Sequence, residues 1–454
     1  MKALPKSSAW GRVGVAEAEL AEFLEDGQIH TVEVCTVDLT GVIRGKRVPV
    51  DEFLACLSRG VALSSAIFVF DHAADLVDHS FSDWSNGFPD VSLIPDLESL
   101  RIIPWRPGYA LVWCDVVTKD GLPVEISPRR VLRRAVESAR EIGLSPKVGA
   151  ELEFYVLDRE SKKPALDRIP CYGVDDGEGI EPLVAEIRRS LAGAGVVIQS
   201  SNAEYSPGQV EVNALYADAL RAADDAMVLR YGAQAVAATF GASATFMAKP
   251  FAELSGSGLH IHLSMWDEAE CTNLFADDGS GELLSKVGEQ ALAGVVANLP
   301  DFLAVSSPTP NAFRRLAPYS FAPTNSSWGV DNRTVAVRVI GADSLGARIE
   351  MREAAADANP YLVIAAHIGA ACDGVRRELP CPPAVSGDGY ANEHVEPLPP
   401  DLRAAAARFS ESSLAAGVFG SEFVSMFGAI CARECELEAA DVSEWQRLRY
   451  LRSA

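Results

Sequence analysis

Apolar and polar positions along the chain change period several times, and each change marks an element. Residues 16–26 (AEAELAEFLED) carry apolar side chains at helical spacing and stop at Gly27, which predicts an amphipathic helix. Residues 29–38 (IHTVEVCTVD) alternate like a strand, and TGVIRGKRVPV reads as a turn into a second one. A proline-rich stretch follows, then the continuous apolar run ALVWCDVV, the pattern of a strand buried on both faces. Residues 118–127 (TKDGLPVEIS) read as a boundary. Pro128 then opens a helix that runs to about Glu141 and stops at Gly143.

Beyond Lys147 the periods mix. KVGAELEFYVLD, ATFMAKP, GLHIHLSMW, RTVAVRVI and ARIEMRE read as strands. Residues 181–193, 215–239, the NPYLVIAAHIGAACDGVRREL segment and the last forty residues read as helices. No repeat or low-complexity tract interrupts them. Strands are not regularly followed by crossover helices, so the expected class is α+β with a mainly antiparallel sheet.

Composition narrows the function. The 454 residues are 48% hydrophobic and 23% charged, an ordinary globular balance that excludes a disordered or collagen-like chain. Lys and Arg number 40 against 63 Asp and Glu, a net charge of −23, and such a surface repels phosphate backbones. Nucleic acid is therefore not an expected partner. Nine scattered cysteines form no CxxC pair, which argues against a zinc site or disulfide framework and for reduced thiols in the cytoplasm. The first fifteen residues lack the apolar core of a secretory signal, and no apolar run reaches eighteen residues, so no membrane association is expected.

The candidate chemistry lies in pairs. Glu151 and Glu153, at i and i+2 in a strand, point to one face and repel unless a cation or arginines neutralise them. Glu204 and Glu211 bracket the YSPGQV turn, whose Pro207–Gly208 bend can return both acids to one place. His260 and His262 repeat the i, i+2 spacing just after the SGSG loop. Arg348, Glu350 and Arg352 alternate in ARIEMRE, with Arg314, Arg315, Arg333 and Arg338 upstream. Taken singly, these fit a solvated strand face, a polar hairpin, structural histidines or a salt-bridge ladder. As a set, five glutamates and a histidine suit a hard cation, Mg²⁺ or Mn²⁺. The arginines suit a phosphate clamp, hence metal-assisted phosphoryl transfer. GVIRGKR has the wrong spacing for a Walker loop.

Six segments in order, AELEFYV, NAEYSPGQVEVN, KPFAELSGSGLHIHLSMW, NAFRRLAPYSFAP, NRTVAVRV and ARIEMREAAADANPYLVIAA, resemble the glutamine synthetase family. The resemblance implies an N-terminal β-grasp domain (1–120) and a large catalytic domain (121–454) with an antiparallel sheet. It also implies a homo-oligomer, a dodecamer of two stacked hexamers with active sites between subunits. The implied substrates are ATP, glutamate and an amine, joined through γ-glutamyl phosphate, with two or more Mg²⁺ or Mn²⁺ ions per site. Matched position by position, Glu153, Glu204 and Glu211 fall in the first metal site and Glu151, His260 and Glu350 in the second. Gly256 and Arg315 match glutamate-binding positions, with Arg352 beside the reacting carboxylate. Arg333, Arg338 and Arg348 match nucleotide and phosphoryl-transfer arginines. Tyr216, His262 and Ser264 match ATP contacts. Asp38 matches an aspartate that binds and deprotonates the ammonium in a neighbour's site.

Departures from the family pattern set the amine. Six residues past Arg315, where ammonia-using members carry a glutamate, stands Phe321. Phenylalanine cannot accept a hydrogen bond from ammonium but can line an apolar pocket. Ser255 replaces an expected asparagine, Leu345 an expected lysine, and the HVEPLPP stretch has no tyrosine for adenylylation. GVIRGKRVPV resembles the γ-glutamylpolyamine and related amine-glutamylating branches. The expectation is a γ-glutamylamide synthetase whose amine is larger than ammonia, with Asp38 and Phe321 at the amine pocket. The alternatives are an ordinary glutamine synthetase and a non-catalytic scaffold of the same fold.

Overall fold

The computed structural model describes residues 17–452 apart from 176, 278–282, 342–345 and 393. Leu345 lies outside the described residues. Two sheets fall on either side of the 118–127 segment. The first has six strands. Thr31–Val37 pairs antiparallel with Ile43–Pro49 and parallel with Tyr109–Thr118, which then pairs with Asp90–Pro95 and, through it, Val61–Ser64; Arg101–Ile102 also joins Tyr109–Thr118. The apolar run of the sequence explains this centre, since Ala110 to Cys114 are fully buried. Helix Glu17–Asp26 packs Leu20 and Leu24 into the same core.

The second sheet has nine strands around Ser145–Asp158. Leu259–Trp266 and Gln209–Ala214 pair with it antiparallel on its two sides; Arg348–Met351 and Val337–Ile340 extend the first side. Trp328–Val330 pairs parallel with Val337–Ile340, so the fold is α+β with largely antiparallel sheets. Three expected strands are shorter or shifted. The one expected in ATFMAKP is Ala242–Thr245, and the helix expected from 215 is Ala219–Thr239.

Helices cover the sheet. Lys286–Ser306 and Pro360–Arg376 cross where Gly294 meets Gly374, and a Cβ on Gly294 would lie 2.7 Å from the Gly374 Cα. Only glycine permits that approach. Asn359 caps the second helix by accepting from the Tyr361 amide. The cysteines are all unpaired thiols. Among the described residues no single helix is long and apolar enough to cross a membrane.

Candidate active site

Strand register gathers the candidate residues. His260 stands opposite Glu151, Glu211 opposite Glu153, and Glu350 opposite both His262 and Arg338. Residues directly opposite one another share a face, as do i and i+2 along a strand. One face therefore carries Glu151, Glu153, Glu211, His260, His262, Glu350 and Arg338. The Pro207–Gly208 bend brings in Glu204, whose amide donates to the Gln209 carbonyl at 2.9 Å.

His260 is the hub. Its Nδ1 lies 3.4 Å from Glu151 and 3.6 Å from Glu350, and its Nε2 lies 3.9 Å from Glu153. Ligand atoms of Glu151, His260 and Glu350 lie within 4.8 Å of one another, and so do those of Glu153, Glu211 and His260. Glu204 completes the second set electrostatically and is held by Asn202 at 2.7 Å.

The two halves differ in charge compensation. Burial pushes the Glu350 carboxyl up, but Arg352 and the two histidines hold it down at about 2. Partial burial likewise pushes Glu151 up, but His260 and His262 hold it low. On the other half, burial and neighbouring carboxylates raise Glu204 to about 7 and Glu211 to about 9. A crowd of partly buried carboxylates, with no arginine hydrogen-bonded to Glu204 or Glu211 among the described residues, is a donor set that fits a hard divalent cation, all oxygen apart from the shared imidazole.

Arginines close the site. Arg338 donates to Glu350 at 3.0 Å, and Arg352 contacts its other oxygen. Arg315, buried, donates to the carbonyls of Glu353 and Arg352, each at 3.0 Å. The glycine loop exists for this packing. A Cβ on Gly256 would lie 2.6 Å from Arg315 Cγ, and one on Gly258 2.6 Å from its Nη2. The Gly258 amide donates to Glu153 at 2.7 Å. Arg348 donates to His262 Nδ1 at 3.2 Å. Arg333 is exposed on the turn before Val337–Ile340, within electrostatic reach of Asp331 and Tyr172.

Beside Glu151 a cavity of about 230 Å³ is lined by Tyr216, His262, Ser264, Trp266 and Arg348. Tyr216 stacks on Trp266 at 6.5 Å and is half exposed. Phe321 is 54% exposed on the loop after Arg315, at φ 59°, and its carbonyl lies 3.4 Å from Arg352 Nη2. The loop adds two aromatic rings that sequence reasoning missed. The Tyr319 ring packs tilted against Tyr390 with centroids 5.2 Å apart, and the Tyr390 hydroxyl donates to the Ala322 carbonyl at 3.1 Å. Tyr172 was also missed. Burial and the charges of Glu204 and Glu211 raise its phenol, so it stands near that half of the cluster. It lies in an aperiodic loop, where sequence pattern carries no signal.

Asp38 directly follows the strand Thr31–Val37. Its carboxylate is fully enclosed in its own chain, accepting from Thr40 at 2.8 Å, the Val42 amide at 2.9 Å and Arg44 at 2.7 Å. Thr40 and the Val42 amide share one oxygen and Arg44 takes the other, so the carboxylate braces its own hairpin and keeps acceptor capacity on the second oxygen.

Residues 125–450 match the family described as glutamine synthetase, catalytic domain. The chain belongs to the glutamine synthetase family. Within it the chain is similar to glutamate–isopropylamine ligase of a Pseudomonas species, 38% identical over 95% of this chain and 97% of that protein. It is 36% identical to γ-glutamylethanolamide synthetase of Streptomyces coelicolor, over 99% and 98%. The solved GmaS–ADP complex superimposes with a TM-score of 0.86 at 30% identity, covering 95% and 99%. Glutamine synthetase family members of this branch are ATP-dependent glutamate–amine ligases that use divalent metals, and this chain is an enzyme of that branch.

Proposed function

We propose that this enzyme joins the γ-carboxylate of glutamate to an amine larger than ammonia. The observation that carries the reading is the exposed ring of Phe321, on the loop whose carbonyl contacts Arg352, together with Tyr319 and Tyr390. That wall offers apolar surface and no carboxylate on the loop. Similarity to ligases named for isopropylamine and ethanolamide supports the same reading.

In this reading Glu153, Glu204 and Glu211 hold one Mg²⁺ or Mn²⁺ and Glu151, His260 and Glu350 hold another. The ions supply neutralisation of phosphate charge. Arg315 and Gly256 hold glutamate, and Tyr216, His262, Ser264 and Arg348 line the ATP side. A glutamate γ-oxygen attacks the terminal phosphorus of ATP and ADP leaves. The amine nitrogen then attacks the γ-carbonyl carbon, phosphate leaves and the nitrogen loses one proton. Arg333, Arg338 and Arg352 stabilise the phosphoryl group in transit. Residues 1–120 form a β-grasp domain and 121–454 the catalytic domain, assembled as a cytoplasmic dodecamer of two stacked hexamers.

The test is phosphate release from ATP and glutamate across ammonia, alkylamines, ethanolamine, arylamines and polyamines. A bulkier amine is expected to exceed ammonia in kcat/KM. Ammonia as the best substrate would make this an ordinary glutamine synthetase. Sedimentation separately tests the dodecamer.

A further inference from the structure

Directly behind Arg315 lies a buried polar group that the proposed mechanism does not use. Glu353 is 1% exposed and His367 is 3% exposed. Glu353 Oε1 accepts from Ser306 Oγ at 3.0 Å and lies 3.1 Å from His367 Nε2. The other oxygen is buried with no donor. Ser306 ends the helix Lys286–Ser306, and His367 sits mid-way in Pro360–Arg376. Glu353 thus ties the end of a sheet strand to two helices.

That strand end carries the site. The Glu353 and Arg352 carbonyls are the two acceptors for the Arg315 guanidinium. The Ala355 amide donates to the Ser306 carbonyl, and the Ala356 amide to the Ser257 carbonyl of the glycine loop. Burial depresses the Arg315 pKa, and the charges of Glu153 and Glu353 oppose it. A buried carboxylate is a poor source of net stability, so its placement here calls for another role.

We infer that Glu353, braced by Ser306 and His367, is a positioning residue that fixes the Arg315 guanidinium for glutamate. Its carboxylate locks the main chain from which Arg315 hangs and supplies a fixed negative charge behind it. The inference rests on the reading of Arg315 as a glutamate-binding residue.

Calorimetric titration of glutamate and, separately, of ADP into the Mg²⁺-loaded full-length enzyme tests it without needing the amine. Glu353→Gln keeps the shape and removes the charge. It is expected to weaken glutamate about tenfold or more and ADP less than twofold. His367→Gln is expected to do the same in smaller degree, and serves if Glu353→Gln does not fold. The double variant removes both ionisable partners. Its melting temperature is expected to recover toward wild type while glutamate affinity does not. If glutamate affinity stays at wild type in the folded variants, or recovers together with melting temperature, the group is only structural and the inference fails. Arg315→Lys separates the two readings. Unchanged glutamate binding there overturns the glutamate site itself, whereas weakened binding there with normal binding in Glu353→Gln overturns only the role of Glu353.

Discussion

His260 and Glu151 face each other across neighbouring strands, Nδ1 to Oε2 at 3.4 Å, while the other ring nitrogen lies 3.9 Å from Glu153. One imidazole thereby spans two carboxylate groups whose charge balance is opposite. The half near Glu350 is compensated by arginine and histidine. The half near Glu204 and Glu211 is not.

Removing a carboxylate from the uncompensated half separates chemistry from stability. Glu153→Ala and Glu204→Ala are each expected to lower kcat/KM by roughly a hundredfold or more, since even outer-shell partners of metal sites cost ten- to a hundredfold. The metal-free Glu204→Ala variant is expected to melt no lower than wild type, because it loses a repelling, partly buried charge. Near-normal turnover in both would remove these residues from the metal site.

The raised carboxyls give a signed pH dependence. Between the ordinary carboxylate range and about 7 for Glu204, or about 9 for Glu211, the folded metal-free protein holds more protons than the unfolded chain. Its stability therefore falls as pH rises through that window. A bound cation removes this penalty. The rise in melting temperature on adding Mg²⁺ is expected to grow from pH 5 to pH 9, read by thermal denaturation with and without metal. A shift that is flat or shrinks with pH contradicts the assignment.

Asp38→Ala separates the structural role of this carboxylate from a catalytic one. With Arg44 and the Val42 amide left unpartnered, the hairpin is expected to lose about 3 kcal/mol of stability, the scale for breaking a buried pair. Denaturant unfolding measures this. A variant of normal stability with a selective loss of amine turnover would assign Asp38 to the amine step alone.

The sequence told much of this site and hid the rest for physical reasons. Alternation alone put Glu151 with Glu153 and His260 with His262, because a strand's side chains have period two. Which pair faces which is a matter of register, and nothing local sets His260 against Glu151. Helix Lys286–Ser306 escaped notice because it is buried nearly all round and contains Pro300, so no polar face gives it a period. The motif that marks Asp38 does not reveal that its carboxylate also braces its own hairpin. Glu353 and His367 meet only through a strand end packing on a helix, a contact no sequence spacing encodes.

Gly256→Ala probes the packing that shapes the glutamate side. The new methyl would lie 2.6 Å from Arg315 Cγ and 2.9 Å from the Ala248 carbonyl. The backbone carbonyl cannot swing aside as a side chain can, so Arg315 must move. Glutamate KM is expected to rise at least about tenfold, as misplacements on the order of an ångström do, with ATP KM little changed. Equal effects on both substrates would mean general disruption instead.

Phe321 bears on the choice of amine. Its ring is about half exposed, and the loop beneath it is held by the Tyr390 hydroxyl and the Arg352 guanidinium. Fully burying a large apolar side chain contributes roughly 1.5–3 kcal/mol, so covering the exposed half of this ring is worth about 1 kcal/mol. That is near a fivefold preference for an amine with a matching apolar group. Ammonium has no surface to cover and finds no carboxylate at this position. Phe321→Glu inverts both terms. It is expected to raise kcat/KM for ammonia and lower it for the best bulky amine, shifting their ratio by roughly tenfold or more, since a charge-assisted hydrogen bond adds about 1.5–3 kcal/mol. Tyr319 and Tyr390 remain, so the conversion should be incomplete. Backbone strain is not altered, because Phe and Glu are equally disfavoured at a φ of 59°. The measurement is kcat/KM for ammonia and for the best amine in both proteins. An unchanged ratio would mean that other walls of the pocket select the amine.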